Sequence, residues 1–102
     1  MIFSPIHRTH DWTKTRKRVK KRDGNKCVLT ASTKRLEVHH IISAKTHPEL
    51  AFEDWNCITI AGWVHRMYHI NFLGGYHVEA SKESWLRFVK MFKKFSSFSP
   101  RT

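Results

Sequence analysis

A chain of 102 residues is enough for one domain with a thin core, because small domains bury a smaller share of their surface than large ones. Lys and Arg number 19 against 8 Asp and Glu, a formal charge of +11 with a pI near 10.2, which predicts attraction to polyanions and makes nucleic acid the leading partner. No apolar run approaches the roughly 18 residues of a membrane span, and residues 1–12 lack the hydrophobic segment of a secretory signal, so no membrane partner and a cytoplasmic location are expected.

In chain order, Asp11 can cap a helix over about residues 12–22, with Trp12 and Val19 on its buried side and Gly24 placed to end it. The rest of that helix is Lys14, Arg16, Lys17, Arg18, Lys20, Lys21 and Arg22. So few acids interleave that a phosphate-contacting surface is favoured over a merely solvated face. Residues 26–30 and 36–42 are short β-prone runs joined by a polar connection, which predicts two antiparallel strands. Residues 43–55 lack sustained periodicity and read as an irregular loop, with one helical turn at residues 48–52. Residues 61–72 fit a helix stopped by Gly74 and Gly75. Ser81 can cap a last amphipathic helix to about residue 95, carrying Trp85, Phe88, Val89, Phe92 and Phe95, with a frayed tail over residues 96–102. Cys27 and Cys57 form no C-x-x-C pair; they read as reduced thiols, with a single disulfide between them as the alternative.

Eight histidines is a high count for this length, and their placement says more than their number. His39 and His40 are adjacent. On a strand their side chains leave opposite faces, so one can ligate a metal while the other reaches a substrate where the strand ends or bends. His65 and His69, four apart on a helix, project from one face and can converge on one ion. Imidazole suits zinc, nickel, copper and iron, and accommodates a harder ion when phosphate oxygens complete the shell, so Mg, Mn, Zn and Ni all remain open.

Read together, Arg22-Asp-Gly-Asn-Lys-Cys27, Leu36-Glu-Val-His-His-Ile41, Pro48-Glu-Leu50, Asn56-Cys-Ile-Thr-Ile60 and His65-Arg-Met-Tyr-His69 resemble the HNH nuclease family in order and spacing. The resemblance covers about half of the chain. It implies an α+β fold with a ββα-metal core, a hairpin and a helix gripping one divalent cation, at about residues 21–72 of a single nuclease domain spanning 1–102. By the same resemblance His40 would be the general base, His39 and His65 metal ligands, and His69 the extra ligand found in nuclease colicins. Asn56 would brace the loop between the strands; by itself it is an ordinary turn asparagine. The chain departs from many relatives in lacking the two C-x-x-C knuckles that hold a structural zinc. The corresponding positions are Cys27 with Thr30 and Ala61 with Val64, so no knuckle zinc is expected, and Val28, Ile60, Trp63 and Val64 should form an apolar cluster instead.

The chemistry implied is hydrolysis of a DNA phosphodiester, leaving 5′ phosphate and 3′ hydroxyl, with Arg66 either clamping the phosphate or simply solvated. Two rivals are a non-catalytic DNA-binding protein on the same scaffold and a purely structural zinc site. The second leaves His40 and the basic surfaces unused. Lys82, Arg87, Lys90, Lys93 and Lys94 on the last helix could add phosphate contacts or only keep that helix soluble. The motif is shared by homing, restriction, phage and toxin nucleases. Without an added recognition domain, sequence specificity would be limited or gained through a homodimer or protein partner.

Overall fold

Leu36-Glu-Val-His-His40 alternates its side chains between two environments and forms a strand, β1 (Leu36–His40). Its partner is β2 (Cys57–Ala61), antiparallel, with Leu36 opposite Ala61, Val38 opposite Thr59 and His40 opposite Cys57. The computed structural model describes residues 10–97; the chain start and the end of the expected tail lie outside that range.

β2 is not the partner suggested by the sequence. Residues 26–30 form turns: the Ala31 N–H donates to Cys27 O and the Cys27 N–H to Ser32 O, both at 2.8 Å. Asn25, Ala31 and Arg35 adopt positive φ of 56°, 66° and 52°, left-handed backbone that interrupts an extended run whatever its β propensity. The segment still serves the sheet. Asp23 Oδ2 accepts the Thr59 N–H at 2.9 Å and the Val28 N–H donates to Thr59 O at 3.1 Å, so the outer edge of β2 is satisfied at that residue without a third strand. The hairpin is therefore β1, a loop over residues 41–56 with a helical turn at Pro48–Leu50, and β2.

Helix α1 (His10–Arg22) covers one face of this pair. Asp11 lies inside its first turn instead of capping it, and Thr15 Oγ1 donates to the Asp11 carbonyl. Trp12, Thr15 and Val19, spaced three and four apart, are buried, and Trp12 and Val19 cluster with Cys57, Val38 and Phe52. Gly24 at φ +75° and the Asn25 N–H on Lys20 O at 2.8 Å end the helix as expected.

The other face is covered by α2 (Gly62–Arg66), which continues as a wider π turn over Met67–Phe72, and by α3 (Lys82–Ser97). The Leu73 N–H reaching back to Tyr68 O at 2.9 Å shows the extra residue in the turn. Ser81 caps α3 by a reciprocal pair of bonds: its Oγ accepts the Ser84 N–H and Ser84 Oγ accepts the Ser81 N–H, both at 3.1 Å. Tyr68 and Ser84 then share a buried hydroxyl bond at 2.7 Å that fixes the two helices together. Cys27, Ile60, Ala61, Val64, Tyr68, Ala80, Trp85 and Phe88 form this core. Val28 and Trp63, expected in it, are instead 42 % and 49 % exposed, because the turn at Val28 points outward and Trp63 lies on the outer side of α2 beside Phe92. Both cysteines are buried free thiols, and burial pushes the Cys57 pKa up to about 11. Among the described residues no helix is long and apolar enough to cross a membrane.

Candidate metal centre

β1 ends at His40, and at that end the two faces of the strand come together on one cavity of about 490 Å³. His39 enters from the face under α2 and α3, where the rings of Tyr68 and Trp85 pack on it and leave it 2 % exposed. His40 enters from the face under α1, stacked on Trp12 at 4.7 Å between ring centroids. His65 and His69 complete the lining from the last turn of α2 and the π turn that follows.

His39, His65 and His69 each offer a nitrogen, and the three nitrogens lie within 4.8 Å of one another, close enough to hold a metal ion. Glu37, two residues before His39 and on the same face of β1, accepts from His65 Nδ1 at 2.7 Å. An ionised carboxylate can only accept, so His65 carries a proton on Nδ1 and Nε2 is left as the nitrogen that could face an ion, the arrangement of a ligand oriented by an outer carboxylate. That Nε2 lies 3.2 Å from His39 Nδ1. The spacing is close to the ligand-to-ligand edge of about 3.3 Å that follows from zinc–nitrogen bonds near 2.0–2.1 Å in a tetrahedral site. His39 Nε2 and His69 Nδ1 are buried without a hydrogen-bond partner, so each is a polar atom that a bound ion or water would satisfy.

The rings are also in the right protonation state. Burial first, then the neighbouring His65, His69 and His40, hold the His39 pKa well below the ordinary 6.5. Burial, His65 and Lys45 together lower that of His69 to about 4. Both are neutral at pH 7, the form that ligates.

His40 is held differently. Its Nε2 lies 3.0 Å from the carbonyl oxygen of Ala51, which can only accept, so Nε2 carries a proton and, in the neutral ring, the lone pair is on Nδ1. Ala51 belongs to the loop between the strands, and Asn56 fixes that loop. Asn56 is fully buried; its Oδ1 accepts the Ile42 N–H at 2.8 Å while Nδ2 donates to Ile42 O at 3.1 Å and Leu50 O at 3.2 Å. It thus joins the start of the loop to the turn that carries Ala51. The rest of the rim comes from two loops clasped together, where the Ser43 N–H donates to Ala80 O at 3.2 Å and Thr46 Oγ1 bonds the Glu79 carboxylate. Tyr76 on this rim stacks on His69 at 4.8 Å.

The cations expected on DNA fall into separate groups. Arg18 donates to both carboxylate oxygens of Asp54, at 3.1 and 3.0 Å. Arg22 is shared between Asp23 and the carbonyls of Asp54 and Cys57. Both therefore staple α1 to the hairpin. Lys14, Lys17 and Lys21 form an exposed stripe, while Arg16 and Lys20 are half-buried. Arg66 does not line the histidine cavity; it borders a smaller depression of about 280 Å³ with Lys34, Arg35 and Trp63. Lys82, Arg87, Lys90, Lys93 and Lys94 are exposed on α3.

Three contributors went unread in the sequence: Glu37, Lys45 and the Ala51 carbonyl. Glu37 had a signal, since residues two apart on a strand share a face. A backbone carbonyl has none. No protein-family model, curated protein or solved structure matches the chain, so the geometry of the cavity is what supports a function.

Proposed function

We propose that this protein is a metal-dependent DNA endonuclease of the HNH type, built on a ββα-metal core. The observation that carries the reading is that His40, with its proton committed to the Ala51 carbonyl, lines the same cavity as the His39, His65 and His69 cluster. Phosphate binding alone needs only positive charge. A base with an assigned tautomer beside a three-nitrogen site is what hydrolysis needs.

In this reading His40 Nδ1 takes a proton from water as the water oxygen attacks phosphorus, the bond to the 3′ oxygen breaks, that oxygen takes a proton from solvent, and a 5′ phosphate and a 3′ hydroxyl are left. His39, His65 and His69 would hold a divalent ion, which when bound supplies positive charge against the charge growing on the phosphate and the departing oxygen. Asn56 keeps the Ala51 carbonyl, and hence the His40 ring, in place. Lys14, Lys17 and Lys21 would draw the duplex to the cavity from the helix that also supplies Trp12. The two free thiols suit a reducing cytoplasm.

The test is cleavage of supercoiled, linear and single-stranded DNA with Mg, Mn, Zn and Ni in turn, comparing wild type with His40→Ala. Loss of the base should slow cleavage on the order of a hundredfold to ten-thousandfold while calorimetry finds metal affinity preserved. A folded His40→Ala protein that cuts at the wild-type rate would remove the proposed role.

A further inference from the structure

We propose that Lys45 is the phosphate-holding cation of the histidine cavity, an assignment that rests on the phosphodiester-hydrolase reading above and names how its substrate is gripped. Among the described residues Lys45 is the only Lys or Arg that lines this cavity. The candidates offered by the sequence are elsewhere, with Arg66 on the smaller depression and Arg18 and Arg22 bound to Asp54 and Asp23.

Three features suit Lys45 to the task. Its backbone is fixed, because its N–H donates to Ser43 Oγ at 3.2 Å, Ser43 is tied to Ala80, and the next residue, Thr46, is tied to Glu79. Its side chain is exposed and makes no hydrogen bond or ion pair with any described residue, so its ammonium is available to a ligand. Glu79, the acid on the same rim, is engaged by Thr46 and forms no ion pair with it.

The need is electrostatic. Imidazole ligands leave the site with only the charge of the ion they would hold, whereas a phosphodiester is an anion whose negative charge concentrates on its nonbridging oxygens as water attacks. An ammonium placed beforehand at one of those oxygens orients the substrate and stabilises the charge without later rearrangement. Lysine acts here as a compact point charge on a flexible stem, able to follow the phosphate as its geometry changes.

Two measurements on Lys45→Met and Lys45→Arg test the assignment. Inorganic phosphate is titrated into the protein at low ionic strength while the ring signals of His69 and Tyr76 are followed by NMR; screening is then weakest. The expected result is saturable shifts in wild type, lost in Lys45→Met and kept in Lys45→Arg. In cleavage assays Lys45→Met should lose roughly tenfold to a hundredfold in kcat, with the divalent-ion Kd measured by calorimetry unchanged and Lys45→Arg partly restored. Phosphate shifts that are absent from wild type, or identical in Lys45→Met, overturn the proposal. If no protein cuts DNA with any ion yet the phosphate shifts still depend on Lys45, the nuclease reading falls and the anion site stands. If cleavage needs His40 and is indifferent to Lys45, the assignment of Lys45 falls alone.

Discussion

Glu37 offers no ligand of its own to the three histidines, yet its carboxylate decides which nitrogen of His65 is available. Outer partners of this kind typically contribute ten- to a hundredfold in metal affinity, so Glu37→Ala should weaken divalent-ion binding by about that factor. Glu37→Gln should fall between, because its amide oxygen still accepts from Nδ1. Calorimetric titration decides, and an unchanged Glu37→Ala affinity would refute the orienting role. Gly62 gives a second handle on the same contact: a Cβ there would sit 3.0 Å from Glu37 Oε2, so Gly62→Ala should displace the carboxylate and give a smaller loss in the same direction. At Asn56 the consequence is stability as well as chemistry. Removing its amide in Asn56→Ala strands a buried N–H and unpairs two carbonyls, which should cost roughly 3 kcal/mol in denaturant unfolding. Cleavage should fall with it, since the Ala51 carbonyl loses its anchor, while ion binding by the variant that remains folded stays near normal.

The cations of α1 that looked alike in the sequence should behave in two ways. Replacing Lys14, Lys17 and Lys21 by Gln should flatten the dependence of DNA affinity on salt by about two to three units, at about 0.9 per phosphate contact, with stability little changed. A slope that does not move would place DNA on another face. Arg22 acts through Asp23 instead. Burial alone would raise the Asp23 carboxyl, but bonds from Arg22 and the Thr59 N–H outweigh it and hold the pKa below the ordinary 3.8. The ionised form therefore stabilises the fold above that value, and the contribution disappears as pH falls through the lower, folded pKa. Asp23→Asn should be less stable than wild type at pH 7 and converge with it in chemical melts as pH falls through that lowered pKa. The helices were legible in the sequence because Trp12 and Val19, or Trp85, Phe88 and Phe92, repeat at helical spacing beside residues that cap or break. The pairing of β1 was not. Residues 26–30 have strand composition but lie next to positions that turn left-handed, whereas the true partner is reached across residues 41–56, a contact that no local pattern encodes. Of the site, the four histidines and Asn56 could be read from spacing and resemblance. The extra residue in the π turn after His65 could not, being a choice of backbone bonds that leaves no mark on side-chain order.

At the scale of the molecule, a two-stranded sheet lies between α1 on one side and α2 with α3 on the other, and the cavity opens where the sheet stops. Each layer therefore supplies one part: α1 the Trp12 wall and the lysine stripe, β1 the adjacent histidines, α2 and its continuation the other two histidines, and α3 the backing of buried His39. The backing residue is Trp85, whose indole lies 4.8 Å from the His39 ring between centroids. An indole so near a ring that would hold an ion is a built-in lamp. Open-shell ions such as Ni or Cu should dim its emission strongly, while zinc, with its filled d shell, should change it little. Trp55 and Trp63 would form a steady background, Trp12, which also walls the cavity, would share in the response, and the ion-dependent part should shrink in Trp85→Phe. Titrated under ultraviolet light without label or substrate, the protein should reveal both when its site fills and which kind of ion has filled it.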